Sequence, residues 1–323
     1  MLPQLAGKSF RRRTSPIRVL APRWPEVLYS YTQISQYLSC PRRYRHRYLD
    51  GWVEKDLRAS MLFGRAFERA LAAYFLRQDS AEVFYQEWAQ YREQPLSYSR
   101  GDTWDRMLEQ AIQLLNRFCQ EDRVRIRQPR RNLQIKFIRP LSLFDGKAAV
   151  TVEPGVTEKR KRNEAPNQLG NQPSNEFVAY VDAIGELDGR GCLLEWKTSS
   201  ARYPEAPTGL LALDPQLIWY SRITGFSEVA EVVFVRKRLV EIQYLKTTIT
   251  DEQRREFGDI VHDTISQIEA CHFLPHSGIR FPQNPCTTCP YVGLCLNQPQ
   301  LADQRLVRRP GAESFGVFDE LSY

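Results

Sequence analysis

No apolar run in this chain is long enough to cross a membrane, and no continuous apolar segment follows its basic start. A membrane span needs about 20 consecutive apolar residues, and a secretory signal needs an apolar core behind its charged end. Neither is expected, and a soluble, cytoplasmic protein is. The start, residues 1–29, carries Lys8, Arg11, Arg12, Arg13, Arg18 and Arg23 against one acid, Glu26. Pro3, Pro16, Pro22 and Pro25 would interrupt any amphipathic targeting helix there. That leaves a flexible basic arm, which either touches phosphates or is simply solvated. Gly7-Lys8-Ser9 lacks the first glycine of a phosphate-binding loop, because Leu2 stands in its place and no strand precedes it. A nucleotide-driven motor is therefore not expected. The cysteines number seven, an odd count, and without a secretory signal a disulfide framework is not expected either.

Global disorder is also missing. The 323 residues are 42% hydrophobic, enough for one large or two ordinary domains. The net charge of +7 favours an anionic partner without requiring nucleic acid.

The densest information lies at residues 177–200, FVAYVDAIGELDGRGCLLEWKTSS. Two β-rich runs flank Asp188-Gly189-Arg190-Gly191, a hairpin signal. A turn centred on those four residues places Asp182 opposite Lys197 and Ile184 opposite Glu195. Because side chains alternate along a strand, Asp182, Glu195 and Lys197 then leave the sheet on one face. Phe177, Ala179, Val181, Ala183, Leu187, Leu194 and Trp196 are expected on the other. Both faces are mostly apolar, as in a central strand pair covered on two sides. Carboxylates buried there need a cation. Lys197 can supply it as a salt bridge, or a hard divalent ion such as Mg²⁺ or Mn²⁺ can satisfy both acids, and the residues alone leave both readings open.

Around this hairpin the periodicity predicts helices over 61–76 and 104–122, strands at 133–138, 148–152, 229–235 and 240–245, and a further helix capped by Thr250 and Gln253. Residues 153–176 lack core side chains and are expected to form a mobile loop. Asp214-Pro215 opens a helix, which puts Gln216 and Tyr220 one turn apart on one face. Glu68 sits mid-helix among Leu71, Ala72 and Phe75, as either a metal ligand or a structural carboxylate. Arg42, Arg43, Tyr44, Arg45, His46, Arg47 and Tyr48 form a basic, aromatic cluster. It can bind phosphates and stack bases, or be a solvated helix face. Cys286, Cys289 and Cys295 make a compact thiolate group that needs a fourth ligand. Zinc and a [4Fe-4S] cluster both accept four thiolates, and Cys40, Cys192 and Cys271 are the available fourths. The tail after Asn297 shows little periodicity.

Asp182 followed by Glu195-Trp196-Lys197 resembles the signature of the PD-(D/E)XK nuclease superfamily, and Gln216-x-x-x-Tyr220 is similar to the helix motif of its RecB-like branch. Cys40 with Cys286, Cys289 and Cys295 resembles the ligand set of the iron-sulfur members, which include AddB, exonuclease V-type enzymes and the CRISPR adaptation nucleases. Those relatives often carry G-x-x-x-H-x-x-L where this chain has Gly64, Glu68 and Leu71. The resemblance implies an α/β, restriction-endonuclease-like fold, with a mixed central sheet flanked by helices. An iron-sulfur staple would join its N- and C-terminal parts. The domain would span 30–296, including the loop at 153–176, between a basic arm at 1–29 and a tail at 297–323. It further implies Mg²⁺ or Mn²⁺ on Asp182, Glu195 and Glu68, with Lys197, Gln216 and Tyr220 completing the catalytic group and Arg42, Arg43, Tyr44, Arg45 and Arg47 contacting DNA. The expected activity is exonucleolytic hydrolysis of single-stranded DNA in repair or recombination, with any unwinding left to a helicase partner. CRISPR spacer acquisition and a noncatalytic DNA-binding scaffold are the alternatives.

Overall fold

The computed structural model describes residues 28–127, 129, 133–140, 176–275 and 284–310. The basic arm up to residue 27, the strand expected at 148–152, the polar stretch up to residue 175 and the end of the tail lie outside them. The described chain enters through β1 (Leu28–Ser30), whose last residue caps α1 (Tyr31–Ser39) by accepting a hydrogen bond from the Gln33 N–H. Pro41 then starts α2 (Pro41–Tyr44), where its fixed φ suits the first helical position, and a π-helical turn, Arg45–Leu49, follows. Next come β2 (Trp52–Glu54), α3 (Ala59–Phe75), α4 (Ser80–Ala89), which adds to the expected helices, and α5 (Trp104–Glu121).

The strands β3 (Val124–Ile126), β4 (Ile135–Pro140), β5 (Glu176–Val181), β6 (Ala183–Leu187) and β7 (Arg190–Ser199) precede α6 (Pro215–Thr224). Asp214 caps α6 through its carboxylate, as its position before Pro215 predicts. Then follow β8 (Glu228–Val235), β9 (Glu241–Thr248) and α7 (Asp251–Glu269), the last opened by the expected Thr250–Gln253 capping box. The described chain finishes with α8 (Val292–Cys295), α9 (Pro299–Arg305) and β10 (Leu306–Arg308). The tail expected to lack periodic structure therefore supplies a helix and a strand, and β10 pairs antiparallel with β2.

The central sheet has the order β3-β6-β7-β8-β9, with β7 and β8 parallel and the other neighbours antiparallel. One of its faces packs on a cluster that includes Phe63, Phe67, Trp88, Met107, Leu114 and Phe118, from α3, α4 and α5. The other packs on Ile34, Trp219, Phe257 and Val261, from α1, α6 and α7. Helices on both faces explain why β8 is buried along nearly its whole length. The result is the expected mixed α/β architecture. A second sheet, β1-β5-β4, adjoins it.

Two corrections apply to the hairpin. The turn is the two-residue Asp188-Gly189, with φ of 53° and 76°, so Leu187 pairs with Arg190 and Ala183 with Leu194. Positive φ at both central residues is the type I′ geometry that matches strand twist. The expected Asp182–Lys197 pairing is thus shifted by two positions, which preserves every side chain's face on β7. The long first strand is also broken: at Asp182 the chain passes from the second sheet into the central one. Phe177, Ala179 and Val181 consequently pack with Leu193, while Ala183 and Leu187 pack with Leu194 and Trp196 on the opposite side.

Candidate active site

The break at Asp182 creates a fork. The ladder between β6 and β7 ends at Ala183 and Leu194, and the next residues on the two arms are Asp182 and Glu195. Trp196 closes the fork by donating its backbone N–H to Asp182 Oδ2 at 2.8 Å. Two residues along β7, on the same side as Glu195, Lys197 Nζ donates to Glu195 Oε1 at 2.7 Å and to Gln216 Oε1 at 2.7 Å. Gln216 Nε2 donates in turn to Glu195 Oε1 at 2.9 Å and to the Tyr220 hydroxyl at 2.8 Å. The helical spacing of Gln216 and Tyr220 thus becomes a brace across the Glu195–Lys197 pair. Glu68 reaches the same place from α3, where Gln134 Nε2 donates to its Oε2 at 3.4 Å.

The electrostatics show how closely the three acids converge. Burial pushes Glu195 up to about 8, Asp182 adds to that, and Lys197 opposes it. Burial followed by Glu195 pushes Glu68 up to about 7, and burial followed by Glu68 pushes Asp182 up to about 6. Each carboxylate disfavours the charge of another, a closed triangle of repulsion. Burial opposes the charge on Lys197 as well, but Glu195, Asp182 and Glu231 together hold its ammonium above the usual lysine range. With all three acids ionised, one lysine leaves two negative charges uncompensated.

Among the described residues no three His, Cys, Asp or Glu side chains are gathered closely enough to enclose a metal ion as they stand. The donor set nevertheless fits a hard divalent cation. Glu195 Oε2 is buried without a hydrogen-bond partner, and the Asp182 and Glu195 carboxyls lie within hydrogen-bonding reach of each other. Two such groups need either a shared proton or a shared cation, and carboxylate oxygens are the ligands Mg²⁺ and Mn²⁺ prefer. A groove of about 1150 Å³ opens onto them, with Tyr31, Arg65, Arg69, Gln216 and Tyr220 along its walls. A smaller pocket of about 280 Å³, bounded by Gly64, Arg65 and Thr198, also reaches the same three acids.

One residue of this cluster escapes the sequence reading. Glu231 on β8 is in register with Glu195 on the parallel β7, is 1% exposed, and has no hydrogen-bond partner for either carboxylate oxygen. Burial followed by Asp214 pushes it up to about 7, against Lys197. A signal was present: Glu231 is the one polar residue in the run Val229-Ala230-Glu231-Val232-Val233-Phe234-Val235.

The four cysteines of the expected staple are free thiols, and among the described residues no three of them form a group that could hold a metal ion as they stand. Cys289 is raised by burial and feels Cys286 and Cys40, while Cys295 is raised by burial and feels Cys289, Cys40 and Cys286. Cys192 lies instead in the core beneath α3 to α5, and Cys271 follows α7. Beside the thiols, Arg43 lies over the Tyr291 ring at 5.8 Å, and His46 Nε2 is 3.7 Å from Cys295 Sγ. Arg42 acts on Cys295, Arg45 pairs with Asp50 at 3.5 Å, and Arg47 lies over the Tyr48 ring at 5.5 Å. The base-stacking role expected of Tyr44 is corrected: its ring is 3% exposed, packed against Tyr37, Tyr48 and Phe273.

No curated protein matches the chain. Among solved structures, a Eubacterium rectale protein whose exonuclease assignment is itself provisional is 12% identical over 88% of this chain and 90% of its own, with a TM-score of 0.46. The protein SSO0001 is 13% identical over 83% and 93%, with a TM-score of 0.30. The sequence profile of the PD-(D/E)XK nuclease superfamily matches residues 29–296, a span that holds Asp182, Glu195, Lys197 and the Gln216–Tyr220 brace, and the chain belongs to that superfamily.

Proposed function

We propose that this nuclease is a metal-dependent deoxyribonuclease that degrades single-stranded DNA from an end, in repair or recombination. The observation that carries the reading is the fork at Asp182 and Glu195, with Lys197 held beside it and a groove leading to it. Asp182, Glu195 and Glu68 would hold Mg²⁺ or Mn²⁺, Glu195 through the oxygen that has no other partner. When bound, the ion polarises the scissile phosphate and lowers the pKa of the attacking water. Lys197 offsets phosphate charge and orients the water, while Gln216, bonded to Tyr220, links Lys197 to Glu195. Arg65 and Arg69, on the groove wall, supply positive charge to the DNA backbone.

The finer assignment of an iron-sulfur member rests on the resemblance of Cys40, Cys286, Cys289 and Cys295 to the ligand set of that branch. A four-iron cluster holds its thiolates farther apart than a single ion does, so the group need not close tightly to suit one.

End-labelled single-stranded DNA, digested with Mg²⁺ or Mn²⁺ beside the Lys197→Ala variant, tests the activity. Metal-dependent products that vanish in the variant, with its thermal unfolding unchanged, are the expected result, and the label reports which end is attacked. Cleavage that survives in Lys197→Ala would sink the assignment of this site. Binding of DNA without cleavage in either metal would instead mark a noncatalytic scaffold.

A further inference from the structure

We infer that Glu231 is a positioning residue: the anionic berth that receives the Lys197 ammonium when a divalent cation engages Glu195. The inference rests on the metal-site reading above and adds to it a residue that neither the family signature nor the sequence pattern assigns.

Glu231 is the one acid in an otherwise apolar, buried strand segment. Glu231 is 1% exposed and neither of its oxygens has a hydrogen-bond partner. Burying an unpaired carboxylate is strongly unfavourable, and an apolar residue would suit β8 better. Of the charged groups that act on it, Asp214 and Glu195 repel it and Lys197 attracts it. Its position is also specific. In the order β6-β7-β8, Glu195 and Lys197 occupy the middle strand, with Glu231 on one flank and Asp182, just before β6, on the other.

Lys197 has three N–H donors. Two are directed to Glu195 Oε1 and Gln216 Oε1. A divalent cation held by Asp182, Glu68 and Glu195 would repel the ammonium bonded to that same Glu195, and such repulsion is large in a poorly screened interior. Either the ion binds weakly or Lys197 shifts. Glu231 lies on the β8 side, away from Asp182 and Glu68, so a shift toward it separates the two cations. Gln216 can keep its bond to Lys197 throughout, because α6 lies on the same side of the sheet as both strands' acids. Glu231 thereby lets one carboxylate serve the ion and a second serve the lysine.

The test is Mn²⁺ binding to the full chain without nucleic acid, followed by the paramagnetic resonance of free Mn²⁺. Wild type, Glu231→Gln, Lys197→Met and the double variant are compared, each confirmed folded by thermal unfolding. Glu231→Gln should weaken binding by about tenfold, the scale of coupling between linked sites, since Lys197 is then confined to Glu195. In the Lys197→Met background the same substitution should change nothing, because no ammonium needs a second berth. That non-additivity is the signature of the proposed coupling. Glu231→Asp, which keeps the charge but retracts it by one methylene, should give a smaller loss with the same dependence on Lys197, and it serves where the Gln variant does not fold. Unchanged binding in Glu231→Gln, or an equal loss in both backgrounds, overturns the berth while leaving the metal site standing. A wild-type chain that binds no Mn²⁺ overturns the metal site and the berth together.

Discussion

Single residues set a charge balance at this site, and that balance has a pH signature. Unfolded, a glutamate titrates near 4.5, but Glu195 in the fold is pushed up to about 8. Between those values the folded chain binds more protons than the unfolded one, so stability falls as pH rises. Glu68 and Glu231, each raised to about 7, and Asp182, raised from 3.8 to about 6, act with the same sign. In EDTA, the melting temperature should therefore decline as pH climbs from the unfolded carboxylate range toward 8. The stabilisation given by Mn²⁺ should grow over the same window, because the ion replaces the protons the acids otherwise retain. A melting temperature that rises across that window in EDTA would contradict the shared burial of these acids. Most of the site was legible because its residues obey local rules: Glu195 and Lys197 share a strand face, and Gln216 and Tyr220 share a helix face. Tyr44 was misread because its surroundings in sequence are arginines, whereas its ring packs on Phe273, far along the chain. Glu231 was passed over because its meaning comes from a neighbouring strand, which no local pattern reveals.

At the level of elements, two glycines respond to substitution in opposite ways. A Cβ on Gly185 would lie 2.1 Å from the Arg125 carbonyl oxygen and 3.0 Å from Leu194 Cδ1. Gly185→Ala therefore forces β3 away from β6, at a cost of about 1–3 kcal/mol typical of overpacking. On Gly64 in α3, a Cβ would meet Thr198 Oγ1 at an ordinary 3.6 Å. Gly64→Ala should fold and gain up to about 1 kcal/mol of helix propensity, while narrowing the small pocket beside the acids. Urea unfolding reads both variants: a lower midpoint for Gly185→Ala and a higher one for Gly64→Ala, with slopes unchanged. A lower midpoint for Gly64→Ala would mean that α3 and β7 are packed more tightly than the structure has them. The elements themselves were mostly readable from periodicity and caps. The register was not, because Asp188-Gly189 and Gly189-Arg190 are both plausible turn centres until the twist of the strands selects the one with two positive φ values. Nor was the break at Asp182, since an alternating apolar run looks the same whether it stays in one sheet or passes between two.

For the whole molecule, the question is what holds its two ends together. β2 and β10 pair over only three residues each, and a short two-stranded ribbon is marginal on its own. Around it, Tyr291 is fully buried and donates its hydroxyl to the Trp52 carbonyl at 3.3 Å, and the Arg305 carbonyl accepts from the Lys55 N–H at 2.9 Å. The Cys289 carbonyl accepts from Arg305 beside this seam at 3.5 Å, so a cluster on Cys40, Cys286, Cys289 and Cys295 would link chain segments distant in sequence and restrict the unfolded ensemble much as a crosslink does. Anaerobically purified protein should then contain iron and acid-labile sulfide, and Cys40→Ser should lose both. Hydrogen exchange places the consequence in space. In Cys40→Ser, protection should fall across 284–310 and in β2, while β7 and β8, buried between two helical layers, exchange as in the wild type. Zinc without sulfide would replace the cluster by a mononuclear site while keeping the clasp. Equal protection of 284–310 in variant and wild type would show that the ribbon and Tyr291 hold these segments unaided, and that the thiols do not join them.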